Sequence, residues 1–97
     1  MGKVYYVKEK HDNKFRIERV FDLAGRIILN VSVLEGKIKP GMTGSVNSKE
    51  FVIENVEVRN QRIEYLIDGE SGDLILKGLK AAKLEEEDFK VGLVFII

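Results

Sequence analysis

The chain has no cysteine, one proline and one histidine among its 97 residues. Without cysteine there is no disulfide framework, no cysteine zinc site and no thiol nucleophile. No stretch approaches the ~18 apolar residues of a membrane-crossing helix, and the N-terminus lacks a secretory apolar core. A cytoplasmic chain with no membrane partner is therefore expected. Linker-like Ser/Gly tracts and repeats of solenoid period are also missing. A single domain over residues 1–97 follows. No GxxxxGK[ST] motif occurs, so no loop cradles a nucleotide phosphate and nucleotide hydrolysis is excluded. Net charge is absent as well: 16 basic and 16 acidic residues cancel. Bulk electrostatics thus give no pull toward nucleic acid or anionic lipid.

What is present is β-branched. Eleven Val and ten Ile stand against three Ala, and such side chains favour pleated surfaces over helices. Nine Gly punctuate short apolar segments, the pattern of an all-β sandwich or barrel. Strands are expected at 4–7, 15–21, 26–34, 44–47, 51–59 and 74–77, with a short strand or extended arm at 62–66. In 15–21 the apolar positions run Phe15, Ile17, then Val20, and this slip from odd to even marks a β-bulge. A second slip falls near Glu54-Asn55. Ile38, between Gly36 and Gly41, is expected to plug one end of the core. A helical turn is expected at Ala81 to Glu87, and VGLVFII (91–97) reads as a buried final strand. The fold class is all-β: a small closed barrel of about six to eight strands with bulges and little helix. The charged fraction of 33% suits a thermophilic source, and ordinary solubility accounts for it equally well.

From Phe15 onward, six stretches keep a recognisable order and spacing: FRIERVFDLAGR (15–26), VLEGKIKPGM (33–42), IENVEV (53–58), DGESGD (68–73), LILKGL (74–79) and DFKVGLVF (88–95). Together they resemble the second domain of translational GTPases, the β-barrel of elongation factor Tu and its relatives, here as a free-standing domain. Residues 15–97 would be that barrel and residues 1–14 an N-terminal extension or extra strand. The resemblance implies a fold of the translation-protein type. It also implies a pocket that in elongation factor Tu helps hold the aminoacylated end of tRNA, with Glu57 where the family packs a Glu on the terminal adenosine. Arg59 and Asn60 fall near other pocket positions. The sequence departs from the family in three places. About three residues are missing between Asp73 and Leu74, extra residues occur around Arg59–Glu64, and Val31-Ser32 replaces a Gly-Arg step. The pocket is expected to be remodelled.

The zero net charge hides an asymmetry. Residues 1–49 hold ten basic and five acidic side chains, and residues 50–97 hold six and eleven. The halves carry +5 and −5. Lys8, Lys10, Lys14, Arg16, Arg19 and Arg26 form a candidate nucleic-acid-binding set, with Tyr5 and Tyr6 beside its start as stacking rings. The competing expectation is that these charges pair with acidic residues across strands. His11 has no nucleophile near it in the chain and reads as a surface histidine. Glu85-Glu86-Glu87-Asp88 reads as a solvated acidic face rather than a cation loop. No catalytic residue, metal site or cofactor is expected. The expected function is a non-catalytic binding module contacting tRNA, rRNA, a ribonucleoprotein or a translation partner. The alternative is a protein–protein adaptor or self-associating barrel that binds no nucleic acid. The sequence leaves the oligomeric state open.

Overall fold

A computed structural model describes residues 13–97. The expected strand at 4–7 and the candidates Lys8, Lys10, Tyr5, Tyr6 and His11 lie outside the described residues. Nine strands follow in chain order: β1 (Lys14–Leu23), β2 (Arg26–Glu35), β3 (Lys37–Ile38), β4 (Thr43–Val46), β5 (Lys49–Val58), β6 (Gln61–Ile63), β7 (Leu66–Ile67), β8 (Ser71–Gly78) and β9 (Val94–Ile96). Seven of them make one antiparallel sheet in the order β4-β5-β8-β2-β1-β9, with β6 added to β5. The two-residue strands β3 and β7 pair separately and bring Ile38, fully buried, into the core.

Three two-residue hairpin loops set the registers. Ala24-Gly25, Asn47-Ser48 and Arg59-Asn60 all have positive φ at both positions, the geometry whose twist matches antiparallel strands. Glycine carries the steeper φ of the first turn, 82° against 54° for Ala24. Both expected bulges occur, between Ile17 and Arg19 in β1 and between Ile53 and Asn55 in β5. Each inserts one residue and restores the apolar side chains beyond it to the inner face. The inner face of β2 is Ile27, Leu29, Val31 and Val33, all buried. They join Phe15, Ile17, Phe51, Ile53, Val56, Leu74 and Leu76 in one core. Each such side chain contributes about 1.5–3 kcal/mol through burial. At Gly72, a β-carbon would meet Leu66 Cδ1 at 2.9 Å and the Glu57 carbonyl at 3.0 Å. The missing side chain lets β5 and β8 approach under the β3–β7 pair.

The sheet curls into a barrel that stops short of full closure. Its ends are β4 and β9, and a gap of about 340 Å³ separates Thr43–Ser45 from Phe95–Ile97. Side chains bridge below the gap. Phe95 stacks on Phe15 at 5.4 Å between ring centroids and meets Phe51 edge-on at 6.0 Å. Among the described residues the final strand lies at the end of the sheet, paired with β1 over three residues, and Val94 and Ile96 are exposed while Phe95 points inward. The expected helical turn at 81–87 is also displaced. Lys80 and Ala81 both take positive φ in a turn closed by the Ala82 N–H donating to Leu79 O. The only helical residues among those described form a 3-10 turn at Glu86–Asp88.

Candidate nucleic-acid interface

Strand register builds a continuous surface on the outer face of the sheet. After its bulge, β1 directs Val20 inward and sends Arg19 and Phe21 outward. Arg19 lies beside Asn30, Asn30 beside Asp73, Asp73 beside Glu57, and Glu57 beside Arg62. Cross-strand neighbours share a face, so these five residues form one polar row over β1, β2, β8, β5 and β6. The Asn30 side-chain amide donates to Asp73 Oδ1 at 3.0 Å, which fixes the middle of the row. Neither Arg19 nor Arg62 has an acidic partner within ion-pair distance among the described residues.

Two residues along each strand lies an apolar row. Phe21 neighbours Ile28, Ile28 neighbours Ile75, and Ile75 neighbours Asn55. Ile75 is only 6% exposed although it faces outward between the inward Leu74 and Leu76, and it stands apart from the inner core cluster. Phe21, 40% exposed, packs against no other aromatic ring among the described residues. Tyr65 differs, because the Lys37 ammonium sits over its ring at 4.5 Å. A shallow groove of about 650 Å³ runs past Arg19, Phe21, Asn30 and Asp73. A half-exposed ring and cations without an acidic partner among the described residues are elements used to stack bases and hold phosphates.

The remaining predicted residues are placed differently. Lys14 pairs with Glu35 at 3.2 Å, Arg16 with Glu18 at 2.6 Å, and Arg26 with Glu54. Of the four described members of the basic set, only Arg19 is left without such a partner, so cross-strand and local pairing absorbs most of that set. Glu57 sits mid-row, whereas Arg59 and Asn60 form the exposed tip of the β5–β6 hairpin. Phe21, Ile75 and Arg62 were not singled out from sequence. For Phe21 the signal was available, since the slip from Ile17 to Val20 turns Phe21 outward beside Arg19. Arg62 carries no such local signal.

A larger groove, about 950 Å³, lies elsewhere. It runs between Arg26 and Glu54 on the sheet and the segment 81–87. Its wall is anchored by Asp88, which is buried. Asn47 Nδ2 donates to Asp88 Oδ1 at 3.0 Å, and Lys49 Nζ and the Glu85 N–H donate to Oδ2 at 2.7 and 2.9 Å. These bonds, that from Lys49 first, hold the Asp88 carboxyl below the usual carboxylate range. The bond to Asp88 in turn raises Lys49. Glu87 is raised, first by a hydrogen bond with Glu85 and then by its charge. The acidic run thus ties the chain to the β4–β5 hairpin. Among the described residues, no group of three or more acidic or histidine side chains is arranged to hold a metal ion. No described helix is long and apolar enough to cross a membrane.

No family model matches this chain, and no curated protein matches it either.

Proposed function

We propose that this chain is a non-catalytic RNA-binding module related to the second domain of translational GTPases, acting on tRNA, rRNA or a ribonucleoprotein. The observation that supports it most is the joint exposure of Phe21 and Arg19 over Ile28 and Ile75 on one outer face. Glu57, the position where the family resemblance expects a nucleoside contact, lies in the adjoining row. A ring supplies sequence-tolerant stacking, and free arginines supply phosphate contacts. The test is binding of tRNA and of generic single-stranded RNA across a salt series. Two phosphate contacts on a single strand predict a log–log salt slope of about −1.4. Failure of the chain to bind either RNA at low salt would sink the proposal.

A second reading, a protein adaptor or self-associating barrel, is favoured by β9. Val91, Leu93, Val94 and Ile96 are all exposed along this edge, and an open apolar edge invites strand pairing. Light scattering over a concentration series tests it. A mass that stays at one chain throughout removes self-association.

A further inference from the structure

We infer that, resting on the RNA reading of the same face, the ligand is a single strand lying across the β-strands, gripped at its two ends by Arg19 and Arg62. The polar row has a cation at each end and two carboxylates, Asp73 and Glu57, in its middle. A phosphate backbone is repelled by that middle and attracted by both ends. Its bases, not its phosphates, therefore come to the centre, where the apolar row Phe21–Ile28–Ile75 runs alongside.

Four strand-to-strand steps separate Arg19 from Arg62, and at ~4.8 Å each they follow about 19 Å of the curved sheet, the path a strand wrapping the outer surface would take. Stacked nucleotides advance about 3.4 Å each, so no more than about six fit between the arginines. Small nucleic-acid-binding barrels have footprints from about four nucleotides upward. The expected footprint is thus about four to six nucleotides.

The middle of the row also selects bases. Asp73 spends Oδ1 on Asn30, leaving its other carboxylate oxygen and those of Glu57 as acceptors. Carboxylates accept from exocyclic amino groups such as cytosine N4. Uracil has no such group. The ligand is a short unpaired strand carrying amino-bearing bases.

Arg62 belongs to β6, which among the described residues pairs with β5 alone and extends the sheet on the same side as β4. This short hairpin doubles the number of ends at which a strand can be held.

The experiment uses fluorescence anisotropy on the full chain with labelled oligo(rC) and oligo(rU) of about two to ten nucleotides at low salt. Affinity for oligo(rC) is expected to rise with length and level off near about six nucleotides. Oligo(rU) of the same length should bind about fivefold or more weakly. Arg19→Glu and Arg62→Glu should each weaken binding about tenfold and lower the salt slope by roughly one contact. Arg62→Gln reports on loss of charge without reversal. Lys80→Glu, paired with Glu50 at the opposite end of β5 from Glu57, controls for bulk charge and should change little. Asp73→Asn combined with Glu57→Gln should erase the preference for cytosine. Thermal midpoints confirm that each variant is folded. If RNA binds through Phe21 but Arg62→Glu matches wild type, or affinity levels off at two nucleotides, the transverse placement is wrong and the RNA reading stands. If oligo(rC) and oligo(rU) bind alike, the carboxylates do not select bases and the base-class inference falls. If no oligonucleotide binds the wild-type chain, both the placement and the RNA reading fall.

Discussion

Asp88 and Asp73 each accept a hydrogen bond from an asparagine amide, and they end in different states. Asp88 has hydrogen bonds on both oxygens, from Asn47, Lys49 and the Glu85 backbone, and is buried. Asp73 has one side-chain partner, Asn30, and lies half-buried in an open row whose terminal arginines have no acidic partner among the described residues. A charge whose bonds are all made inside the protein holds the fold together, because removing it strands buried donors. A charge with unused bonding capacity at the surface contributes little to stability and stays available to a ligand. The same residue type therefore marks structure in one place and binding in the other, and the count of satisfied bonds tells them apart.

The largest expected effect separates the two regions directly. Asp88→Ala should lower the thermal midpoint by about 10 °C, since it orphans Lys49, Asn47 and the Glu85 N–H. RNA affinity should be unchanged. Asp73→Ala should shift the midpoint by no more than about 3 °C. Differential scanning calorimetry on both variants measures the contrast, and equal losses of stability would abolish it.

Next in size is Phe21→Ala. Loss of one stacking ring should weaken RNA binding about tenfold or more, with only a small loss of thermal midpoint because the ring is 40% exposed and outside the core cluster. Anisotropy and melting curves on the same sample decide this. A large drop in stability with intact binding would move Phe21 into the structural class.

The smallest effects are in the pH dependence of the hydrogen-bonded cluster around Asp88. The folded-state pKa of Asp88 is depressed. Its contribution to stability is complete above the ordinary Asp range near ~3.9 and is lost as pH falls through the lower folded value. Lys49 is raised, so its contribution is complete below ~10.4 and is lost as pH climbs through the folded value. Glu87 is raised, which has the opposite sign for a carboxyl. It favours the fold at acid pH, and this contribution fades as pH rises from ~4.3 through its folded value. Urea midpoints should therefore fall below the ordinary Asp range and above the ordinary lysine range, with a further small decline as pH rises through the Glu87 range. In Asp88→Ala the acid-side loss should be reduced.

Local signals were legible where neighbours in the chain decide the outcome. The slips at Ile17–Val20 and Glu54–Asn55 are visible as breaks in alternation, and both bulges sit there. Ile38 between two glycines is indeed buried. Where distant partners decide, the sequence was silent or misleading. VGLVFII looks like a central strand, yet its place at the end of the sheet leaves Val94 and Ile96 exposed. The basic surplus of the first half looks like a patch, but Glu35, Glu18 and Glu54 take up Lys14, Arg16 and Arg26. The halves of opposite charge are not opposite surfaces, because Arg26–Glu54 and Lys49–Asp88 both cross between them.

By itself the sequence determined an all-β chain, its two bulges and the turns at Ala24-Gly25 and Asn47-Ser48. Those depend on side-chain period, on β-branched preference and on residues that tolerate positive φ, all of which act within a few positions. Only the tertiary structure decided that β8 lies between β2 and β5, and that order alone puts Arg19, Asn30, Asp73, Glu57 and Arg62 in one row. The physical reason is that strand order is set by how distant segments close one core together. Which charges remain free on the outside is settled only once that core is closed.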